Sequence, residues 1–387
     1  MSVAVVVDRF DSRGGGAERS TVQTVNHLVA RGHQVTVIAG YAPDQDLPAG
    51  AQILRYAASK PRLPMRWLHF VAWARRQLQQ RRFDTSLSVT TTVPARVIQP
   101  RGGTVRETLE RNIALRSQPA SRALKRCLIA LSPKQQTMLR VERRTLSDPS
   151  VRRIVALSRY VADQLHRHYH IDPSRIELIP NAADMPALSP EARRSLREQS
   201  RRRLGISEDQ LVFLFAALNP RLKGADQLLR ATHRLTQRGL RPWVLFVGHA
   251  GGPQRRLVKR LALGPLVRFL GPTDQMAPLY AAADVTVHPT FYDPASKVVI
   301  ESLMMGTPAI TTAYNGASDL ILSPNGQALR GRVIPDPADV NALAQAMTEL
   351  AEPTRRQRCA QALVGLQESL SMSQHVDQLE RVLAAAR

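Results

Sequence analysis

Two carboxylates, Asp293 and Glu301, stand eight residues apart in the stretch from His288 to Asp319. Eight residues is slightly more than two helical turns, so both acids can lie near one helix face or its N-terminal approach. Between them Ala295, Ser296 and Lys297 form a loop entering an apolar, helix-like run that stops at Gly306. Such an entry presents N–H groups that suit a phosphate-bearing ligand. A second group is Asn219-Pro220-Arg221-Leu222-Lys223-Gly224. Arg221 and Lys223 in one loop can converge on a diphosphate, the first as a planar fork and the second as a point charge. A third is Gly14-Gly15-Gly16-Ala17-Glu18-Arg19, with Gly15 and Gly16 the residues best placed to bring backbone N–H groups against a negative group.

The elements around these groups alternate between strand and helix. Val3–Val7 is a continuous apolar run, as expected of a parallel strand buried on both faces. After the glycines, Val22, Val25, Leu28 and Val29 recur at helical spacing, and Gly32 stops the helix. Gln34–Ala39 is the next strand, completing a right-handed βαβ unit. The same alternation restarts at Ile154–Leu157, and again at Val212–Leu218, Arg241–Gly248, Val267–Gly271 and Val285–Val287. Only helices are expected after Pro337. Two α/β domains with ligand sites at the carboxyl ends of their parallel strands follow from this order.

The chain has 387 residues, 43% of them hydrophobic, which is enough for two or three domains. It holds no apolar run of the ~18 residues that a membrane span needs. Met1–Val7 reads as a first buried strand and not as a signal peptide, so a cytoplasmic protein is expected. Cys127 and Cys359 have no CxxC or His neighbours and give neither a metal site nor a disulfide framework. The formal charge is +23, and residues 51–150 hold 20 Lys/Arg against 5 Asp/Glu. Such a surface attracts polyanions, namely nucleic acid, anionic lipid headgroups or phosphorylated glycans; equally, it can be a solvated arginine-rich face. The 65–82 segment predicts an amphipathic helix whose Trp67, Phe70, Val71, Ala74 and Leu78 face a core, with contact to an anionic bilayer as the other reading. Arg101–Arg126 is a second basic segment open to the same two readings.

The Asp293/Glu301 segment resembles the acid-x7-acid signature of the retaining GT-B glycosyltransferases of the glycogen-synthase-like superfamily, glycosyltransferase family 4. One departure is that the first acid is normally Glu. The Gly-Gly-x-Glu-Arg string matches the family's N-terminal loop, and Lys223-Gly224 matches its R-x(n)-K-G donor motif. Many members carry the Arg five residues before the Lys, where this chain has Leu218; lipopolysaccharide core glucosyltransferases keep it close to the Lys, as Arg221 is here. The Pro180-Asn181-Ala182-Ala183-Asp184 turn looks like the family's interdomain hinge. The resemblance implies that Glu301 holds the nucleotide ribose, that Asp293 faces the sugar hydroxyls, and that Arg221 and Lys223 stabilise the leaving diphosphate. It implies that Asn219, Ala295, Ser296 and Lys297 bind the donor, and that Gly248 and the backbone at Leu270 line the nucleobase pocket. Pre-placed cations and N–H donors would do this work without a metal. No acceptor-side base stands out in the 93–104 segment, where Gln99 and Arg101 would face the acceptor.

The expectation is therefore a GT-B fold with two doubly wound, Rossmann-like domains facing across a cleft. The acceptor-side domain would span residues 1–178 and the donor domain 179–368, with a C-terminal helix, 369–387, returning to the first. The expected activity is metal-independent, cofactor-free transfer of a hexose, glucose, from a UDP-sugar co-substrate to a cell-envelope glycan or glycolipid such as lipopolysaccharide core. The protein would work at the cytoplasmic face of the inner membrane, in contact with anionic lipid. A non-catalytic sugar-nucleotide or glycan binder is the alternative. A nucleic-acid binder ranks last, since the basic stretches lack interleaved stacking aromatics beyond Trp67, Phe70 and Trp73.

Overall fold

Parallel strands buried on both faces need helices on both sides, and the chain builds this arrangement twice. A computed structural model describes residues 1–43, 46–56, 66–323, 326–327 and 329–387. They divide into two compact units, Met1–Ala182 with Met372–Arg387, and Ala183–Ser371. The passage from one to the other falls in the Pro180–Asp184 turn.

The first unit contains β1 (Ser2–Arg9), β2 (Gln34–Tyr41), β3 (Gln52–Arg55), β4 (Thr85–Ser88), β5 (Val97–Ile98), β6 (Arg153–Ala156) and β7 (Ile176–Leu178). Their order is β3-β2-β1-β4-β5-β6-β7, and every pairing is parallel. β1 sits at the reversal of direction, pairing Val3 with Val35 of β2 on one side and with Thr85 of β4 on the other. Val3–Val7 is buried throughout. The helix Gly16–Ala30 covers one face and ends as the spacing predicts: Gly32 adopts φ +79°, and the His33 N–H reaches back to the Leu28 carbonyl. The last helix, Met372–Ala385, belongs to this unit and buries Met372, Val376, Leu379 and Leu383 in the same apolar cluster.

Met65 lies outside the described residues, and the expected amphipathic helix is seen as Arg66–Gln80. Its apolar side is core: Phe70, Val71 and Ala74 are buried, and Trp67, Trp73 and Leu78 pack against them. The second basic segment folds into helices, Val105–Ala114 and Pro119–Leu131, with Pro133–Leu146 following.

The second unit contains β8 (Val212–Ala217), β9 (Trp243–Gly248), β10 (Val267–Gly271), β11 (Val285–Val287), β12 (Ala309–Thr312) and β13 (Gly331–Ile334), ordered β10-β9-β8-β11-β12-β13 and again all parallel. The chain steps outward from β8 to β10, then returns to the other side of β8. Loops leaving β8 and β11 therefore diverge, and a crevice opens between them. The helix Pro190–Leu204 is locked beneath this sheet by a buried ion pair. Arg201, fully buried, donates to the Asp284 carboxylate at 2.9 Å and to the carbonyls of Ser207, Gln210 and Ala282. Asp284 also accepts the Val212 N–H at 2.7 Å, tying the start of β8 to the approach to β11. Replacing Asp284 with Ala leaves that guanidinium buried without a counter-charge. The expected loss of stability is about 3–5 kcal/mol. Urea unfolding of the whole chain checks it; a loss under ~1 kcal/mol would show that water or the carbonyls suffice for Arg201.

Candidate functional site

In the second unit, the crevice between β8 and β11 is filled by the loops that follow each strand. The first of these is Leu218–Gly224. Its turn is organised by Asn219, whose Oδ1 accepts the Leu222 N–H and whose carbonyl accepts the Lys223 N–H. The Leu222 carbonyl in turn accepts from Phe291 N–H at 2.9 Å and from the Thr290 hydroxyl at 3.3 Å, which fastens the loop to the segment after β11. Gly224 is the N-cap of the helix Ala225–Gln237, at φ +79°. A Cβ there would stand 2.1 Å from the Pro289 carbonyl oxygen, so only glycine permits this approach.

The result is that Lys223 Nζ donates to Asp293 Oδ2 at 2.6 Å and to the Tyr292 carbonyl at 3.0 Å. His288 Nε2 lies 3.7 Å from the same carboxylate oxygen. Burial would raise the Asp293 carboxyl, but the Lys223 ammonium and then His288 overcome it and hold Asp293 well below the usual carboxylate range. Burial likewise pulls His288 down, and the Lys223 charge adds to this against the opposing pull of Asp293, so the imidazole stays neutral at pH 7. The His288 ring also stacks near Phe215, with centroids 6.2 Å apart. It both packs the core and flanks the ion pair.

Asp293 belongs to the loop before the helix Lys297–Met304, while Glu301 lies within that helix. The backbone of Asp293 is pinned on both sides, its N–H to the Tyr314 carbonyl and its carbonyl to Gly316 N–H. Two of the proposed phosphate donors are engaged locally: the Ala295 N–H donates to Asp293 Oδ1 and the Ser296 N–H to Asn315 Oδ1. Asn315 is fully buried and also accepts from Ala317 N–H, so one amide shapes the whole loop. Lys297 opens the helix, half-buried. Glu301 accepts from the hydroxyl of the fully buried Tyr280 at 2.8 Å, which orients the carboxylate. Arg221 is exposed. Gly248 ends β9 at φ +105°, where a Cβ would lie 2.0 Å from the Ala217 carbonyl oxygen. The Leu270 side chain packs into the apolar cluster, leaving its backbone at the strand end. The structure thus joins Asn219, Lys223 and Asp293 directly, puts Ala295, Ser296, Lys297 and Glu301 on the next segment, and sets Gly248 and Leu270 along the same edge of the sheet.

The first unit has a counterpart at its own reversal point, beside β1 and β4. A cavity of about 420 Å³ is lined by Asp8, Glu18, Thr90, Thr92, Arg101 and Gln135, among others. Gly15 caps the helix Gly16–Ala30 in extended conformation, and Gly16 is its first residue. Asp8, next to last in β1, keeps an exposed edge; the enclosing walls, and then the negative charge of Glu18, push its carboxyl up from the ordinary value. Arg101 is buried and donates to Thr24 Oγ1 at 2.7 Å, while its Nε and Nη1 have no hydrogen-bond partner among the described residues. Burial pulls the guanidinium down to about 9, so it remains charged at neutral pH. Gln99 does not line the cavity; it is fully buried, with its amide nitrogen 3.2 Å from His375 Nε2 on the last helix.

Sequence reasoning missed Asp8, Tyr280 and Asn315. Asp8 had a signal, an acid at the carboxyl end of a parallel strand. Tyr280 and Asn315 had none, because both act across elements. Among the described residues, Glu107, Glu110 and His168 come close enough to share a cation. Glu107 is already matched by Arg111 and Arg167 and accepts from Tyr160, so a divalent ion there would face two guanidinium groups.

The chain matches the family described as Glycosyltransferase Family 4 over residues 14–185 and that described as Glycosyl transferases group 1 over residues 209–353. It belongs to the family-4, group-1 glycosyltransferases. It is 32% identical over 252 residues to the D-inositol 3-phosphate glycosyltransferase of Thermomonospora curvata, covering 61% of this chain and 57% of that protein. It spans about half the length of the similar inositol-phosphate glycosyltransferases that it matches. Across 84% of the chain it is 23% identical to the lipopolysaccharide glucosyltransferase WaaG of Escherichia coli K12, covering 82% of that protein. Among solved structures, WaaG, a glycosyltransferase involved in lipopolysaccharide biosynthesis, matches with a TM-score of 0.78 at 20% identity, over 98% of this chain and 99% of that one. HepE of Anabaena with UDP-glucose matches with a TM-score of 0.72 at 17% identity over the full length of both. These likenesses show the fold: two Rossmann-like α/β units of the GT-B type, with the last helix returned to the first unit.

Lys223→Ala is expected to cost about 2–3 kcal/mol at pH 7, because it strands a buried carboxylate. The sign with pH follows from Asp293. Its folded-state value is depressed, so its contribution is present above the unfolded value of about 4 and is lost as pH falls. In the variant the Lys223 charge no longer offsets burial and the group rises, which makes the carboxylate less stabilising at neutral pH. The stability gap between wild type and variant should therefore narrow below pH ~4. Thermal melts across pH 3–8 measure it.

Proposed function

We propose that this chain is a retaining, metal-independent glycosyltransferase that moves glucose from UDP-glucose to a phosphate-bearing acceptor of the cell envelope, such as lipopolysaccharide core. The observation that carries this is the Lys223–Asp293 pair at the reversal point of the second sheet, with Glu301 on the helix that follows. When a nucleotide sugar breaks, the diphosphate gains negative charge and the sugar becomes oxocarbenium-like. Lys223 and the exposed Arg221 stabilise the first; Asp293, held ionised, contacts the sugar hydroxyls. Glu301, oriented by Tyr280, accepts from the ribose hydroxyls. Ser296, Lys297 and the turn at Ala295 hold the phosphates. Gly15 and Gly16 offer backbone N–H groups to a ligand phosphate at the helix entry of the first unit, and Gly248 and Leu270 take the nucleobase. The names of the relatives support the parts separately: HepE was solved with UDP-glucose and WaaG is a glucosyltransferase.

Arg101 supports an anionic acceptor, because a buried guanidinium without a carboxylate partner is relieved by a ligand phosphate. The inositol-phosphate glycosyltransferases favour a second reading, a small phosphorylated polyol as acceptor. Asp8, raised from the ordinary carboxylate value, would hydrogen-bond the attacking hydroxyl. No helix among the described residues is long and apolar enough to cross a membrane. We place the protein as a peripheral enzyme on the cytoplasmic face of the inner membrane, held by its basic first unit. No nucleic acid is part of this reading.

Calorimetric titration with UDP, GDP and their glucose, mannose and N-acetylglucosamine adducts tests the donor. UDP-glucose should bind, and Lys223→Ala and Glu301→Ala should each weaken it at least tenfold; a folded protein that binds none of these ligands would sink the reading. Transfer should persist in EDTA, and NMR of the product should show the donor's anomeric configuration. Core lipopolysaccharide and inositol phosphate as acceptors separate the two readings. Asp8→Asn should lower kcat roughly 100-fold while leaving donor affinity unchanged. Donor binding without any turnover would instead identify a non-catalytic binder.

A further inference from the structure

Tyr41 is out of place among the aromatic side chains. Of the Phe, Tyr and Trp among the described residues it alone is exposed, at 53%, while the others are buried or half-buried. It closes β2 and stands opposite Arg9 at the end of β1. That is the carboxyl edge of the first sheet, where the cavity beside β1 and β4 opens, and Arg9 itself lines the cavity.

The ring is held as well as exposed. The Tyr41 carbonyl accepts the Phe10 N–H at 2.8 Å, and the next carbonyl, that of Ala42, accepts from Arg55 Nε at 3.0 Å. The Arg9 guanidinium lies over the ring, 4.9 Å from its centroid. Arg9 is fixed in turn by the buried Asp11, whose carboxylate accepts from Nε at 2.9 Å. A tyrosine placed in this way offers rigid, amphipathic contact area with only two χ angles to freeze.

The surroundings select the occupant. A stable protein interface covers about 800 Å² of each partner and needs an apolar centre. The other large exposed hydrophobics of the first unit are Leu124, Leu128 and Leu131 on the helix Pro119–Leu131 and Leu178 of β7, at the far edge of the sheet; none is on β1, β2 or β3. One apolar ring beside a guanidinium and a carboxylate instead matches a pyranose, which has an apolar C–H face and a rim of hydroxyls. Neighbouring strands stand about 4.8 Å apart, close to the width of one sugar ring. A glycan whose reacting sugar fills the cavity therefore reaches Tyr41 with the next sugar along.

We propose that Tyr41, backed by Arg9, is a stacking platform for the second sugar of the acceptor, and that it gives the enzyme its preference for an oligosaccharide over a single phosphorylated polyol. This rests on the cell-envelope glycan reading above and names the residue that recognises the acceptor beyond its reacting sugar.

De-acylated lipopolysaccharide core oligosaccharide and inositol phosphate are the acceptor probes, with UDP-glucose as donor. Tyr41→Ala should raise KM for the oligosaccharide roughly fivefold, with kcat, UDP-glucose affinity and melting temperature unchanged. Tyr41→Phe and Tyr41→Trp keep a ring and should stay within about twofold of wild type. Saturation-transfer NMR of the wild type should show signal on ring C–H groups of the sugar next to the one that is glucosylated, and Tyr41→Ala should remove it. An unchanged KM in Tyr41→Ala would overturn the platform and leave the glycosyltransferase reading intact. A loss in Tyr41→Phe equal to that in Tyr41→Ala would assign the effect to the hydroxyl, and a melting temperature that drops as KM rises would make Tyr41 a structural residue; either result overturns the proposal. A wild type that glucosylates inositol phosphate but neither binds nor glucosylates the oligosaccharide would remove the glycan acceptor and the platform with it.

Discussion

A carboxylate removed from water is tolerable only beside a positive charge, and the second unit is arranged so that Asp293 has one. Lys223 and Asp293 are 70 residues apart in the chain, yet 2.6 Å apart in space. The sheet order makes that possible, because β8 and β11 are neighbours whose following loops diverge. Gly224 lets the first loop press on the Pro289 carbonyl, Leu222 ties it to the second, and Asn315 shapes the far side. Each acts by removing a degree of freedom from the ion pair. A net-neutral, fixed pair also suits a site that must meet charge developing during a reaction, since it needs little reorganisation.

The first unit uses the same topology for a different balance of charge. Its reversal point carries two acids, Asp8 and Glu18, and one buried arginine with no carboxylate partner. Burial, and then the charge of Glu18, raises the Asp8 carboxyl, and the guanidinium in the wall is left to whatever enters. The large positive charge is concentrated elsewhere in that unit, on the helices between β5 and β6, where it frames an apolar stripe. The basic character of the chain therefore has two structural meanings, one cation in a cavity and many on a surface.

The long parallel strands were legible in sequence because burial on both faces leaves a continuous apolar run, as at Val3–Val7 and Val212–Ala217. The helix stop at Gly32 was legible because the left-handed conformation favours glycine. β3, β4, β5 and β13 were not. Gln52–Arg55 is half-exposed, Thr85–Ser88 is mostly hydroxyl, and Val97–Ile98 is two residues long. Nothing in those segments carries a period to read; they are strands because neighbouring strands pair with them. The helices from Val105 to Leu146 were hidden by arginine, whose long stem serves equally on a helix or in a loop.

The same division holds at the site. Sequence alone determined which residue types were available: Lys223 beside Gly224, Asp293 eight residues before Glu301, glycines at a helix entry, and a surplus of arginine. Those follow from local spacing, and local spacing is what a chain displays. Tertiary structure alone decided that Lys223 is spent on Asp293, that Tyr280 holds Glu301, that Gln99 turns to His375, and that the apolar face of Arg66–Gln80 is core while that of Pro119–Leu131 is surface. Each of these depends on which elements become neighbours, and strand order and burial are settled only when the whole unit closes.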